Sequence, residues 1–179
     1  GVQTCALPIS AIERSRQDLE AKVLERTEEL ERLTQTDMLT ELLNRRGMSE
    51  RIVGEIARSQ RENKPFGLLW LDVDRFKEIN DRYGHASGDQ ALVAVADIIR
   101  RLVRPYDSAA RWGGDEFLVL IQDSDEVLLI SLGERIRAAV ACSTLNTERG
   151  DMRLSVSIGA HLAAPGEPME EILLQADHA

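Results

Sequence analysis

Between residues 12 and 37 the seam positions of a helix fall in a repeat of seven. Ile12, Arg16, Leu19, Val23, Arg26, Leu30, Leu33 and Asp37 are separated by alternating steps of four and three, with no Gly or Pro in the segment. That spacing predicts a parallel coiled coil over residues 11–36. Two arginines interrupt its seam, so the pairing is expected to be weak or adjustable. An amphipathic helix packed on its own domain is the other reading. Thr36-Asp37 then offers a cap for a new helical start, ahead of the apolar cluster Leu39, Leu42 and Leu43. Residues 47–61 read as a helix with Met48, Ile52, Val53 and Ile56 on one face, ended by Asn63-Lys64-Pro65. The run FGLLWLDV from Phe66 to Val73 is apolar almost throughout and predicts a buried central strand.

Residues 75–83 read as a polar helical turn or two, and Gly84 and Gly88 bracket an expected loop. Asp89 opens a predicted helix to Val103, with Leu92, Val95, Ala96, Ile99 and Leu102 inward. Two strand-like runs, Ser108 to Trp112 and Phe117 to Ile121, flank Gly113-Gly114 and predict a hairpin. A helix over 125–140, an alternating strand over 153–162 and a last helix from Pro168 complete the pattern. The fold class is α/β, an α+β sandwich with a mainly antiparallel sheet.

Composition narrows the functions. The formal net charge of -9 argues against sequence-independent nucleic-acid binding, which needs excess Lys and Arg. Cys5 and Cys142 make no disulfide framework, so a reducing compartment, the cytoplasm, is expected. No stretch approaches the roughly 18 apolar residues a membrane span needs. Tethering of a full-length protein by an upstream segment remains open. Residues 1–10 (GVQTCALPIS) have no helical period and read as a non-native or disordered tail.

The candidate chemistry is carboxylate chemistry. Asp72 and Asp74 end the buried strand, and Asp115 and Glu116 occupy the hairpin turn. If the hairpin lies beside that strand, like charges converge on one edge, and a divalent cation with hard oxygen ligands, Mg2+, is the natural compensation. Gly113 and Gly114 let backbone N–H groups approach a phosphate closely.

Four ordered blocks resemble the GGDEF family of diguanylate cyclases. RWGGDEF (Arg111 to Phe117) resembles its signature. DMLTELLNRR (Asp37 to Arg46) resembles its opening motif, with Glu41 where Gly is usual, expected on a helical surface. DVDRFKEINDRYGHASGDQAL (Asp72 to Leu92) and LSVSIG (Leu154 to Gly159) resemble its two core blocks. The resemblance implies a nucleotidyl-cyclase palm of ferredoxin-like type over residues 37–179, behind the coiled-coil helix. It implies condensation of two GTP into cyclic di-GMP by a homodimer with Mg2+ or Mn2+.

Carried over by position, Asp72 and Asp115 match the metal ligands, with the Val73 carbonyl as a third. Glu116 matches the carboxylate that helps bind metal or activate the 3′-hydroxyl. Asn80 and Asp89 match guanine readers, and Leu39 and Leu92 match apolar contacts to the base. Phe76 and Lys77 match residues near the triphosphate, Lys77 supplying positive charge to the chemistry. His85 matches the family histidine, read as structural. The plainer readings are helix capping for Asn80 and an N-cap for Asp89. Arg104-Pro105-Tyr106-Asp107 resembles the family's inhibitory product site, with Arg135 as its second arginine. An upstream sensor is implied. LQADHA, from Leu174 to Ala179, resembles the start of a longer family segment, so a domain truncated at its C-terminus is expected. That expectation leaves the activity of this chain itself open. The alternatives are a catalytically silent nucleotide sensor, another purine nucleotide cyclase or polymerase-palm relative, and, for residues 11–36, a dimerisation module alone.

Overall fold

The computed structural model describes residues 35–179. The heptad segment and residues 1–10 lie outside the described residues, apart from Gln35, Thr36 and Asp37.

The central strand is β1, Phe66–Val73. It pairs antiparallel with β3, Glu116–Ile121, on one side and with β6, Val156–Ala163, on the other. The strand β2, Ser108–Gly113, closes the far edge, giving the order β2-β3-β1-β6. Alternation along these strands splits the apolar residues between two faces. Phe66, Leu68, Leu118 and Leu120 pack with Met48 and Ile52 of α1 (Arg45–Glu62) and with Ile172 and Ala176 of α5 (Met169–His178). Leu69, Leu71, Val73, Phe117, Val119 and Ile121 pack on the opposite face. Their partners there belong to α3 (His85–Leu102) and α4 (Glu126–Cys142). Both faces of β1 are therefore covered, as its unbroken apolar run requires.

Several boundaries differ from the sequence reading. The helix α1 begins two residues early because the Asn44 side chain accepts the Gly47 N–H at 2.9 Å and caps it. Val53 is 57% exposed, since Ile52 and Glu55 take the inward positions. Residues 37–43 form a turn rather than a helix. Glu41 stands there at φ 57, a left-handed position and not a helical surface.

The polar segment after β1 is α2, Phe76–Tyr83. No loop runs from Gly84 to Gly88: Gly84, at φ 89, makes the turn alone and α3 starts at His85. Asp89 is thus inside the helix and does not cap it. The last predicted strand is two pieces. Its first residue, Arg153, belongs to a small hairpin, β4 (Thr144–Thr147) with β5 (Gly150–Arg153), that the sequence reading lacked. The chain then breaks at Leu154-Ser155 before β6, while Met152, Leu154 and Val156 keep the inward alternation.

Candidate active site

Strand register assembles the carboxylates. Asp72 on β1 lies directly opposite Glu116 on β3. The Val73 N–H donates to the Asp115 carbonyl at 3.2 Å, which seats the hairpin turn against the end of β1. That turn is shaped by a bulge between Arg111 and Gly113 and by Gly114 at φ 52. Arg111 reads both sides of it. Its Nε donates to the Gly114 carbonyl at 2.9 Å, and its Nη1 reaches Asp37 Oδ2 at 3.4 Å. The Asp37 Oδ1 in turn accepts from the Thr40 N–H and hydroxyl. Leu43 bridges to β2 through hydrogen bonds with Ala109 and Arg111. The opening motif and the signature turn are thereby one structure.

The electrostatics follow from this crowding. Asp72 has its pKa raised, first by burial, then by the charges of Asp115, Asp74 and Asp177. Its side chain still meets solvent, but the strand ends around it exclude enough water for burial to lead. Glu116 is raised by burial, then by Asp72, Asp115 and Asp177, and Arg45 opposes the rise. Among the described residues no group of three or more His, Cys, Asp or Glu is arranged to hold an ion by itself. The donor set is open: neighbouring carboxylates whose mutual repulsion Arg45 offsets only in part. That is the chemistry a divalent cation shared with phosphates would satisfy, so the residues fit such an ion.

Asp74 points elsewhere. Its two oxygens accept the hydroxyls of Ser155 and Ser157 on the β6 side. It lines, with Asp72, Arg75, Arg82 and Arg153, a cavity of about 620 Å³ between α2 and β5.

Asn80 on α2 meets Gly88 on α3. A Cβ at Gly88 would fall 2.0 Å from Asn80 Oδ1 and 3.4 Å from the Phe76 ring. Glycine at 88 is what allows the two helices to meet there, and Asp89 is the next residue, exposed to solvent. Leu39 and Phe76 are half-buried against the same core cluster as Leu92, which is itself 1% exposed. Lys77 is exposed, with no ion-pair partner among the described residues.

The other predicted site is less assembled. The Asp107 carboxylate accepts the Arg104 N–H at 3.1 Å and the Gln122 N–H at 3.2 Å, so it holds its own turn together. Arg104 donates to the Tyr106 hydroxyl at 3.0 Å. Arg104 and Asp107 line a cavity of about 410 Å³ with Arg51 and Arg100. Arg135 is exposed on α4 and is not among its lining residues.

Two groups at the carboxylate edge had been given no role. The Arg45 guanidinium lies 4.8 Å from the Trp112 ring centre, and Trp112 meets Trp70 edge-on at 6.0 Å. Its charge acts on Glu116. Asp177, near the end of α5, acts on both Asp72 and Glu116. Both residues lie in quoted motif segments, which was the available signal.

Comparison with known proteins decides the family. The family described as "Diguanylate cyclase, GGDEF domain" matches residues 34–179. The chain belongs to the GGDEF family. Diguanylate cyclase DosC of Escherichia coli K12 is 42% identical over 145 residues, covering 80% of this chain and 31% of DosC. Diguanylate cyclase DgcP of Pseudomonas aeruginosa is 38% identical over 144 residues, covering 80% of this chain and 22% of DgcP. The chain thus spans a third or less of these relatives.

Among solved structures, the coiled coil and GGDEF domain of DgcB from Caulobacter crescentus in complex with c-di-GMP matches with TM-score 0.79 and 28% identity. That match covers 97% of this chain and 92% of DgcB's. Diguanylate cyclase SiaD of Pseudomonas aeruginosa, in complex with its activator SiaC, matches with TM-score 0.79 and 33% identity. It covers 96% of this chain and 71% of SiaD's. The GGDEF signature of this chain is accordingly the β2–β3 turn that carries Asp115 and Glu116 to the end of β1.

Proposed function

We propose that this GGDEF domain is a diguanylate cyclase that condenses two GTP into cyclic di-GMP and releases two pyrophosphates. The observation that carries the reading is the registered Asp72–Glu116 pair beside Asp115, charges held together one helix away from the Asn80–Gly88–Asp89 junction. Asp72, Asp115 and the Val73 carbonyl would hold a divalent cation, Mg2+ or Mn2+. When bound, that ion neutralises phosphate charge and favours ionisation of the 3′-hydroxyl.

The remaining roles belong to the chain. Asp89 accepts from guanine N1–H and its 2-amino group, and the Asn80 amide serves O6 or N3. Leu39, Phe76 and Leu92 provide the apolar flank. Gly113 and Gly114 open the backbone to the phosphates, and Lys77 offsets their charge. Glu116, opposite Asp72 and next to Asp115, is placed to help hold the cation or to take the proton of the attacking 3′-hydroxyl. One domain holds one GTP, so turnover needs two copies facing each other, brought together by the 11–36 coiled coil. Arg104 and Asp107, with Arg135, would bind product and slow the enzyme. A cytoplasmic setting and an upstream sensor fit this scheme.

Calorimetric titration with GTP and with ATP, each with and without Mg2+, tests the site. Binding that requires the metal and favours GTP supports the reading. Equal binding of both nucleotides removes the guanine assignment, and metal-independent binding removes the carboxylate one.

A further inference from the structure

In the sequence Asp72-Val73-Asp74 the two carboxylates look equivalent, and the fold separates them. Asp72 is within β1, facing Glu116. Asp74 lies just past the strand and is turned onto the segment that leads into β6. The Ser155 hydroxyl donates to its Oδ2 at 2.5 Å and the Ser157 hydroxyl to its Oδ1 at 2.7 Å. Its own N–H donates to the Ser155 carbonyl at 3.0 Å. Three hydrogen bonds, two of them strengthened by the carboxylate charge, join residues 81 and 83 positions apart. The next residue, Arg75, is left-handed at φ 55, a strained conformation for a non-glycine residue. From there the chain enters α2, which carries Phe76, Lys77 and Asn80. The clamp therefore sits between the strand end that bears Asp72 and the strained turn that aims α2.

We infer that Asp74 is a positioning residue: pinned by Ser155 and Ser157, it holds the β1–α2 turn so that Asp72 and the Val73 carbonyl keep their register with α2, and it is not itself a metal ligand. Each of its oxygens already accepts a serine hydroxyl, so a cation would have to compete for the lone pairs that remain. The inference rests on the proposed cyclase reading for the site that it positions. The two serines are exposed, so removing their hydroxyls leaves the core intact.

The test compares Asp74→Ala, Asp74→Asn, the Ser155→Ala/Ser157→Ala double variant and the triple variant with Asp74→Ala, in the full chain. Two readouts are used: amide hydrogen exchange over residues 73–77, and Mn2+ binding with GTP followed by electron paramagnetic resonance. The clamp predicts exchange about 10-fold faster, and Mn2+ binding about 10-fold weaker, in both Asp74→Ala and the serine double variant. The triple variant should lose no more than either. Asp74→Asn should stay near wild type, because an amide can accept one hydroxyl and donate to the other oxygen. Exchange over 73–77 that the serine double variant leaves unchanged overturns the clamp. Mn2+ binding lost equally in Asp74→Asn and Asp74→Ala, with the serine double variant unaffected, makes Asp74 a ligand and overturns the inference. A wild-type chain that binds no Mn2+ with GTP defeats the cyclase reading itself, and Asp74's role toward that site with it.

Discussion

Burial and mutual repulsion oppose the ionisation of Asp72 and Glu116, and that has a sign in stability. Both folded-state pKa values lie above the ordinary carboxylate range. Below that range each group is protonated in folded and unfolded chains alike and contributes nothing. As pH rises through the raised values the folded state must ionise at a cost, so stability falls and stays lower. Asp72→Asn should therefore raise the melting temperature at pH 7, and the gain should vanish below about pH 4; a thermal denaturation series in metal-free buffer measures it. Glu41 carries a backbone cost instead. Glu41→Gly should stabilise the domain by about 1 kcal/mol in denaturant titration, since glycine occupies φ 57 without strain. The meeting of Asp72, Asp115 and Glu116 was legible only on the condition that the hairpin pairs with β1, which it does, and their roles were legible only through the family resemblance. The serine partners of Asp74 were not legible, because they are distant in sequence. Nor was the capping role given to Asp89 right: Gly84 alone supplies the turn, one helical turn earlier.

At the scale of elements, periodicity located β1, the β2–β3 hairpin and the helices, and erred where a backbone device overrides it. A glycine with positive φ moved the start of α3. The short β4–β5 hairpin was missed because it offers only Leu145 and Met152 as apolar positions, too few to read as alternation. Val53 faces solvent although its neighbour Ile52 is buried, because a helix carries adjacent residues to different faces. The seating of α5 on β6 depends on Gly159, where a Cβ would fall 2.0 Å from the Ala176 carbonyl. Gly159→Ala should push α5 away and cost about 1–3 kcal/mol in chemical denaturation. Because α5 also bears Asp177, the same variant should relax the crowding at Asp72.

Across the described residues, a four-stranded sheet with helices on both faces brings two distant motif segments together at one end of its strands. The sequence announced each segment, and the order β2-β3-β1-β6 supplies the juxtaposition that no local pattern contains. In the proposed scheme one domain is half an enzyme, and the 11–36 segment provides the second half by pairing. Replacing Leu19, Val23 and Leu30 with Asp should abolish turnover while circular dichroism of the 35–179 fold stays unchanged; undiminished turnover would remove the coiled coil from the account. The most direct measurement is identification of the product. The chain and its Asp115→Asn variant are incubated with GTP and Mg2+, and the nucleotides are separated and weighed by mass spectrometry. The account predicts cyclic di-GMP and pyrophosphate from the chain and neither from the variant. GTP that is bound yet returned unchanged by the chain would contradict it and leave a nucleotide sensor in its place.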